Sequence, residues 1–321
     1  MHGFWEVLSA VLPVFCLTGI GVLLRQINWL TAEADQTLIR VVVNVLVPCL
    51  ILDKVVGNPA LRDLRNLLIP PLFGFGGICL GLAVAWMLRR VSGAITEPEQ
   101  RTFAAVNGFQ NYGYVPQPII EQLFPTGTLG VLFLHNLGVD TGMWTLGLIT
   151  LGHAGFGEWR RLINAPILGV LVAVALNFLF AAPWFPSQFV VAFRFIGTTN
   201  QMLGVCAFPL AIVLIGATMA ETFEALRGGA GLRLMGVSVL VRCMIMPVLM
   251  LAAARFIPCS PELQRVLIVE AAMPAAVFPI VMARHYGGDV LTAVRVVVAT
   301  SVVGLFTIPL WIKIGLYWLG L

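Results

Sequence analysis

Charge is what this sequence has least of. Only 34 of its 321 residues are Asp, Glu, Lys or Arg, 11% of the chain, where a soluble domain averages about 25%. With 59% apolar residues and a mean hydropathy of +0.95, that scarcity excludes a soluble enzyme, a disordered chain and a nucleic-acid binder. The net charge of +4 is scattered and makes no basic stripe for a polyanion. Histidine is almost missing: His2, His135, His153 and His285 stand at no ligand spacing. Neither HExxH nor GxSG occurs, so no enzyme is expected. The six cysteines contain no CxxC, and five lie in apolar runs as small hydrophobes.

What is present is apolar sequence in long runs. A helix needs about 20 largely apolar residues to cross hydrocarbon. Ten stretches satisfy that: 6–24, 37–56, 66–88, 100–123, 127–151, 163–181, 199–220, 232–256, 262–284 and 290–318. The N-terminus lacks a basic region and is read as a retained first span. Asn58-Pro59, Glu97-Pro98 and Arg227-Gly228-Gly229 mark connections. Residues 182–198, with Pro183, Pro186 and Arg194, are expected to be interfacial and too broken to span. Tryptophans such as Trp29 and Trp159 sit mainly at span ends, as interfacial anchors do. Odd-numbered connections carry eleven basic residues, among them Arg89, Arg90, Arg160 and Arg161, against seven on the other side. Both termini are therefore expected outside, in a cell membrane.

Prolines hint at a repeat. Pro48 in span two and Pro209 in span seven are 161 residues apart, and so are Pro118 in span four and Pro279 in span nine. Five spans per repeat is an odd number, so residues 1–160 and 161–321 would form inverted repeats, a plan common in secondary transporters. Spans four (NGFQNYGYVPQPII, 107–120) and nine (VEAAMPAAVFPIVMARHYGGD, 269–289) each hold two mid-membrane prolines and should break there. Freed backbone is tolerable in a membrane where it is buried in protein or lines a wet cavity. The alternative is a pair of kinked helices with no site attached.

These motifs, with NVLVPCL (44–50), FPLAIVLIGA (208–217) and ATSVVGLFTIPLW (299–311), make the chain resemble the auxin efflux carrier family over essentially its whole length. In the family's span-four motif Asn111, Gly113, Tyr114 and Pro118 match, while Pro116 stands where glycine is usual. The resemblance implies an all-α membrane protein of ten helices, with broken helices four and nine crossing between a scaffold and a transport bundle. That fold is shared with bile-acid sodium symporters. It implies transport of organic anions such as auxin, malate or malonate.

The candidate substrate-binding residues are Asn107, Asn111, Gly113, Tyr114, Pro116, Pro118, Asn136, Pro274, Ala275 and Pro279. Asn111 leads, because an amide beside freed backbone N–H groups and half-helix N-termini suits a carboxylate; Gln110 is a weaker candidate. Glu270 and Asp140 are the candidates for ion coupling, since carboxylates at membrane depth usually mark an ion or proton path. For Glu270 a bland alternative is a wet vestibule at the end of a short half-helix. Arg242, inside span eight, is read as a structural charge paired with Glu270 or Asp140. Asn136 and Asp140, four residues apart, share a helix face that His135 does not. Asn44 is expected to serve carbonyls freed at Pro48.

The expected function is alternating-access transport of small carboxylates. The alternatives are a symporter of a larger amphipathic acid, with Na+ or H+ as coupling ion, and an anion channel. No cofactor or metal is expected. Expected partners are the anion, the lipid bilayer and a second copy of the chain.

Overall fold

The computed structural model describes residues 4–153, 163–224 and 231–321. The expectations placed on Trp159, Arg160, Arg161 and Arg227-Gly228-Gly229, and the 160/161 repeat boundary, lie outside those residues. Regular structure among the described residues is helical throughout. The helices are α1 (Phe4–Gln26), α2 (Ala32–Val41), α3 (Val47–Val55), α4 (Arg65–Leu88), α5 (Glu97–Gly108), α6 (Pro116–Leu123), α7 (Gly127–Gly142) and α8 (Leu148–Thr150). They continue as α9 (Ala165–Ala181), α10 (Ser187–Val205), α11 (Ala207–Glu224), α12 (Leu232–Val239), α13 (Met246–Phe256), α14 (Pro261–Ala272), α15 (Phe278–His285) and α16 (Val290–Leu319).

Five helical stretches among the described residues are long and apolar enough to cross a membrane. They are Trp5–Gln26, Arg65–Leu88, Phe195–Ala220, Leu232–Phe256 and Val290–Leu319. Of the other expected spans, 163–181 is shorter, 100–123 and 262–284 are interrupted, and 37–56 and 127–151 lie in stretches that run on through a wide turn. Polar caps fix where helices start. Thr96 and Glu99 form a reciprocal capping box on α5, Ser260 accepts from Leu263 N at 3.1 Å on α14, and Asp289 accepts from Thr292 N at 2.6 Å on α16.

Residues 182–198 are less broken than expected, and the stretch long and apolar enough to cross begins at Phe195. From Ser187 the chain is helical and runs through α10 into α11. Pro183 and Pro186 precede the first helical residue, where proline breaks nothing. Two prolines inside helical stretches follow wide turns. One turn, Val42–Leu46, precedes Pro48, and another, Leu240–Ile245, precedes Pro247. The amide of Asn44 donates to Arg40 O at 2.9 Å, a carbonyl in the last turn of α2 and not one freed at Pro48. Pro247 has no N–H for the Cys243 carbonyl, and Trp311 Nε1 supplies the donor at 2.7 Å.

Helices α1, α3, α9, α10 and α11 pack among themselves, and so do α4, α5, α7, α12, α13, α14 and α16. The two groups meet where α1 and α11 touch α16 and where α3 and α9 touch α7, while α6 touches α1, α7 and α14. Within each group one pair of helices approaches closely through glycine. Gly21 of α1 and Gly216 of α11 each face the other helix's backbone, and Gly74 of α4 and Gly138 of α7 do the same. Any Cβ at these positions would collide with a carbonyl oxygen, that of Pro71 in the case of Gly138. Small residues serve this purpose in membranes, where dispersion and backbone approach replace the hydrophobic drive.

Gly138→Ala should therefore lower the thermal midpoint of the detergent-solubilised protein, at a cost of about 1–3 kcal/mol from overpacking. Gly76→Ala is the control, since a Cβ at Gly76 on α4 meets nothing within 4 Å. Equal shifts for the two variants would refute the close-approach account.

Candidate functional site

The expected spans four and nine are both interrupted, and the interruptions meet. The first leaves helix after Gly108 and resumes at Pro116; the second leaves after Ala272 and resumes at Phe278. Proline explains where each second half begins. Pro116 is the first residue of α6 and Pro279 the second of α15, positions whose N–H groups have no helical partner in any case. Pro118 follows in the first turn of α6, and Pro274 lies inside the second interruption.

The two extended segments pair antiparallel. Asn111 N donates to Pro274 O at 2.8 Å, and Ala276 N donates to Phe109 O at 3.0 Å, placing Gln110 opposite Ala275. Ala275 N donates in turn to Thr300 Oγ1 of α16 at 3.2 Å, and Tyr112 N to Gln110 O at 2.9 Å. The freed amides of Asn111, Tyr112, Ala275 and Ala276 are thus engaged with protein. Those of Gly113, Tyr114 and Val115, leading into α6, make no hydrogen bond to protein. A Cβ at Gly113 would point into open space, and Tyr112, Gly113 and Tyr114 are only half-buried. Asn111 is 8% exposed, and its side-chain amide bonds to no protein group.

Helix α7 supports this segment. Asn136 Nδ2 donates to Tyr112 O at 3.1 Å, and the Tyr112 hydroxyl donates to Asp140 Oδ1 at 2.5 Å. Both α7 groups therefore hold Tyr112. His135 departs from expectation: its Nδ1 lies 3.3 Å from Asn136 Oδ1, because the short amide folds back across the one-residue step. Asn107 is committed elsewhere, donating to Phe103 O at 2.9 Å and to Ser238 Oγ of α12 at 3.2 Å.

The charged pair expected at Arg242 does not form. Arg242 Nε donates to Met273 O at 3.1 Å, and its two terminal nitrogens have no protein partner. Met273 caps the C-terminus of α14 just ahead of Pro274. Its carbonyl sits at the negative end of the helix dipole, which draws the guanidinium. Glu270 is wholly buried, which removes the wet-vestibule alternative, and both carboxylate oxygens lack a hydrogen-bond partner. Sequence reasoning missed Tyr112, Ser238 and Thr300 as supports of the site. Thr300 lay within a quoted motif, and Tyr112 was findable as the donor that a deep carboxylate at Asp140 requires.

Comparison with known proteins supplies the family. The family described as membrane transport protein matches residues 6–158 and 150–312. An uncharacterized transporter of Methanothermobacter thermautotrophicus is 27% identical over 313 residues, covering 94% of this chain and 96% of the relative. Protein ECM3 of Saccharomyces cerevisiae is 28% identical over 90 residues, which are 28% of this chain and 15% of that protein. With its family matched across both halves and interrupted helices that pair at their breaks, the chain belongs to the membrane transport proteins of the auxin efflux carrier family.

Proposed function

We propose that this transporter moves small organic anions by alternating access, binding the carboxylate where the two interrupted helices pair. One observation carries the reading. Backbone hydrogen bonds between residues 109–111 and 274–276 bring both breaks to one place, beside three amides without protein acceptors and an amide side chain without a partner. Helix N-termini and open N–H groups favour anions. Asn111 and the amides of Gly113 and Tyr114 would hold the carboxylate. Pro116, Pro118, Pro274, Ala275 and Pro279 shape the pairing, Asn136 fixes Tyr112, and Asn107 anchors α5 to α12. Glu270 and Asp140 are the coupling candidates of this reading.

In this proposal the chain makes ten passes in two inverted repeats of five, 1–160 and 161–321, with its interrupted helices crossing. The group α4, α5, α7, α12, α13, α14 and α16 would move against the group built on α1, α3, α9, α10 and α11. Their separate packing supports this. Both termini would lie outside a cell membrane, with the basic end inside. Arg233 Nε reaches Val91 O at 2.9 Å and Arg295 packs on Gly231, which gathers basic residues of odd-numbered connections at one end.

In proteoliposomes, labelled malonate and indole-3-acetate separate the cases. At least one should enter with saturating kinetics and counterflow, and Asn111→Ala should reduce that uptake about ten- to hundredfold, the worth of a hydrogen bond to a charged group. Flux that rises linearly with concentration would indicate a channel. Unchanged uptake in Asn111→Ala would refute the site.

A further inference from the structure

Behind the paired breaks lies a second group of polar side chains. Glu270 ends α14, Gln110 comes from the first break, and Arg242 comes from the wide turn Leu240–Ile245 between α12 and α13. All three are 0% exposed. Both oxygens of Glu270, both amide atoms of Gln110 and both terminal nitrogens of Arg242 fall short of ordinary hydrogen-bond geometry with any protein group, although Arg242 and Gln110 stand close enough to act on Glu270. Leaving a buried polar group unpaired is costly, and native interiors hold few of them. Three such side chains together, two on the interrupted helices and one on the turn that holds Met273 O, call for a function. Glu270 also sits where the α14 dipole is negative, so the fold sets this carboxylate against its own helix.

The chemistry of the group selects its ligand. A hard metal cation is held by a shell of oxygens, but here a guanidinium that never deprotonates stands beside the carboxylate. Arg242 is already the resident cation, anchored through Nε to Met273 O. The exchangeable cation that such a site takes is a proton. We infer that Glu270 is the proton-carrying group of the transporter, with Arg242 as its fixed counter-charge and Gln110 as its link to the substrate segment.

The cycle balances in protons. Water on one side supplies the proton as an O–H bond forms on Glu270, and that proton returns to water on the other side when the carboxylate re-ionises. Protonated Glu270 donates to Gln110 Oε1 and leaves Arg242 uncompensated, so the break becomes electropositive and holds an anion. Ionised Glu270 draws Gln110 Nε2 and the free nitrogens of Arg242 toward itself and cancels that charge. Proton and anion therefore bind together, as the reciprocity of coupled sites requires. Among groups on elements packed against α14, Arg242 and Gln110 face Glu270 directly and Tyr112 stands next in range. His135 on α7 is engaged with Asn136, Asp140 with Tyr112, and Glu121 on α6 with Lys54.

This inference rests on the anion-carrier reading, but its test needs no transported substrate. Infrared difference spectra are recorded on the lipid-reconstituted protein in choline chloride as the pH is stepped from alkaline to acid. The expected result is a protonated-carboxyl band that is lost in Glu270→Gln and kept in Asp140→Asn. Its pH midpoint should move in Arg242→Met and return in Arg242→Lys, and NaCl at fixed pH should leave it unaltered. A band that survives Glu270→Gln, no band at all, or a Na+-specific change abolished by Glu270→Gln would overturn the proposal. Failure of anion uptake with this band intact would instead remove the carrier reading and leave the proton site standing.

Discussion

A backbone amide or carbonyl exposed to hydrocarbon costs several kcal/mol, and the bilayer offers no water to relieve it. This chain interrupts two helices in its buried interior and satisfies much of the freed backbone by pairing one interruption with the other. Phe109 O, Asn111 N, Pro274 O and Ala276 N satisfy one another across the gap. Thr300 takes Ala275 N, Arg242 takes Met273 O, and Asn136 takes Tyr112 O. The rest of the arrangement follows from that obligation, because supporting side chains must arrive from α7, the α12–α13 turn and α16 at one point.

The same rule explains the wide turns and the glycines. A proline in a helix removes a donor; ahead of Pro48 and Pro247 the chain widens a turn, and at Pro247 Trp311 supplies a donor to Cys243 O. Glycines then allow α4 to lie against α7, and α1 against α11, at backbone distance. Each helix group is rigid where glycine holds two backbones together. The interrupted helices belong with the α4–α7 group, so a movement between groups would carry the paired breaks as one body.

Much of this was legible in the sequence because membranes punish exceptions. Pro116, Pro118, Pro274 and Pro279 announced the breaks, and the few deep polar residues, Asn111, Asp140, Arg242 and Glu270, drew attention by their rarity. What stayed hidden was pairing at a distance. Charge complementarity suggested that Arg242 would bind a carboxylate, whereas it binds a carbonyl that exists as an acceptor only because α14 stops before Pro274. Tyr112 looked like one more aromatic until Asp140 was seen to accept its hydroxyl. The helix from Ser187 was missed because Pro183 and Pro186 were weighed as breakers, although both fall before its first turn. Local chemistry shows in a sequence, and the partner supplied by another element does not.

The central claim is that the paired breaks form a binding site reached from each side of the membrane in turn. Gly113, with open space beyond its Cα, is the place to test it. With the six native cysteines replaced, Gly113→Cys is exposed to a membrane-impermeant maleimide in right-side-out and in inverted vesicles. The account predicts labelling from both sides. Labelling from one side only, or from neither, would contradict it.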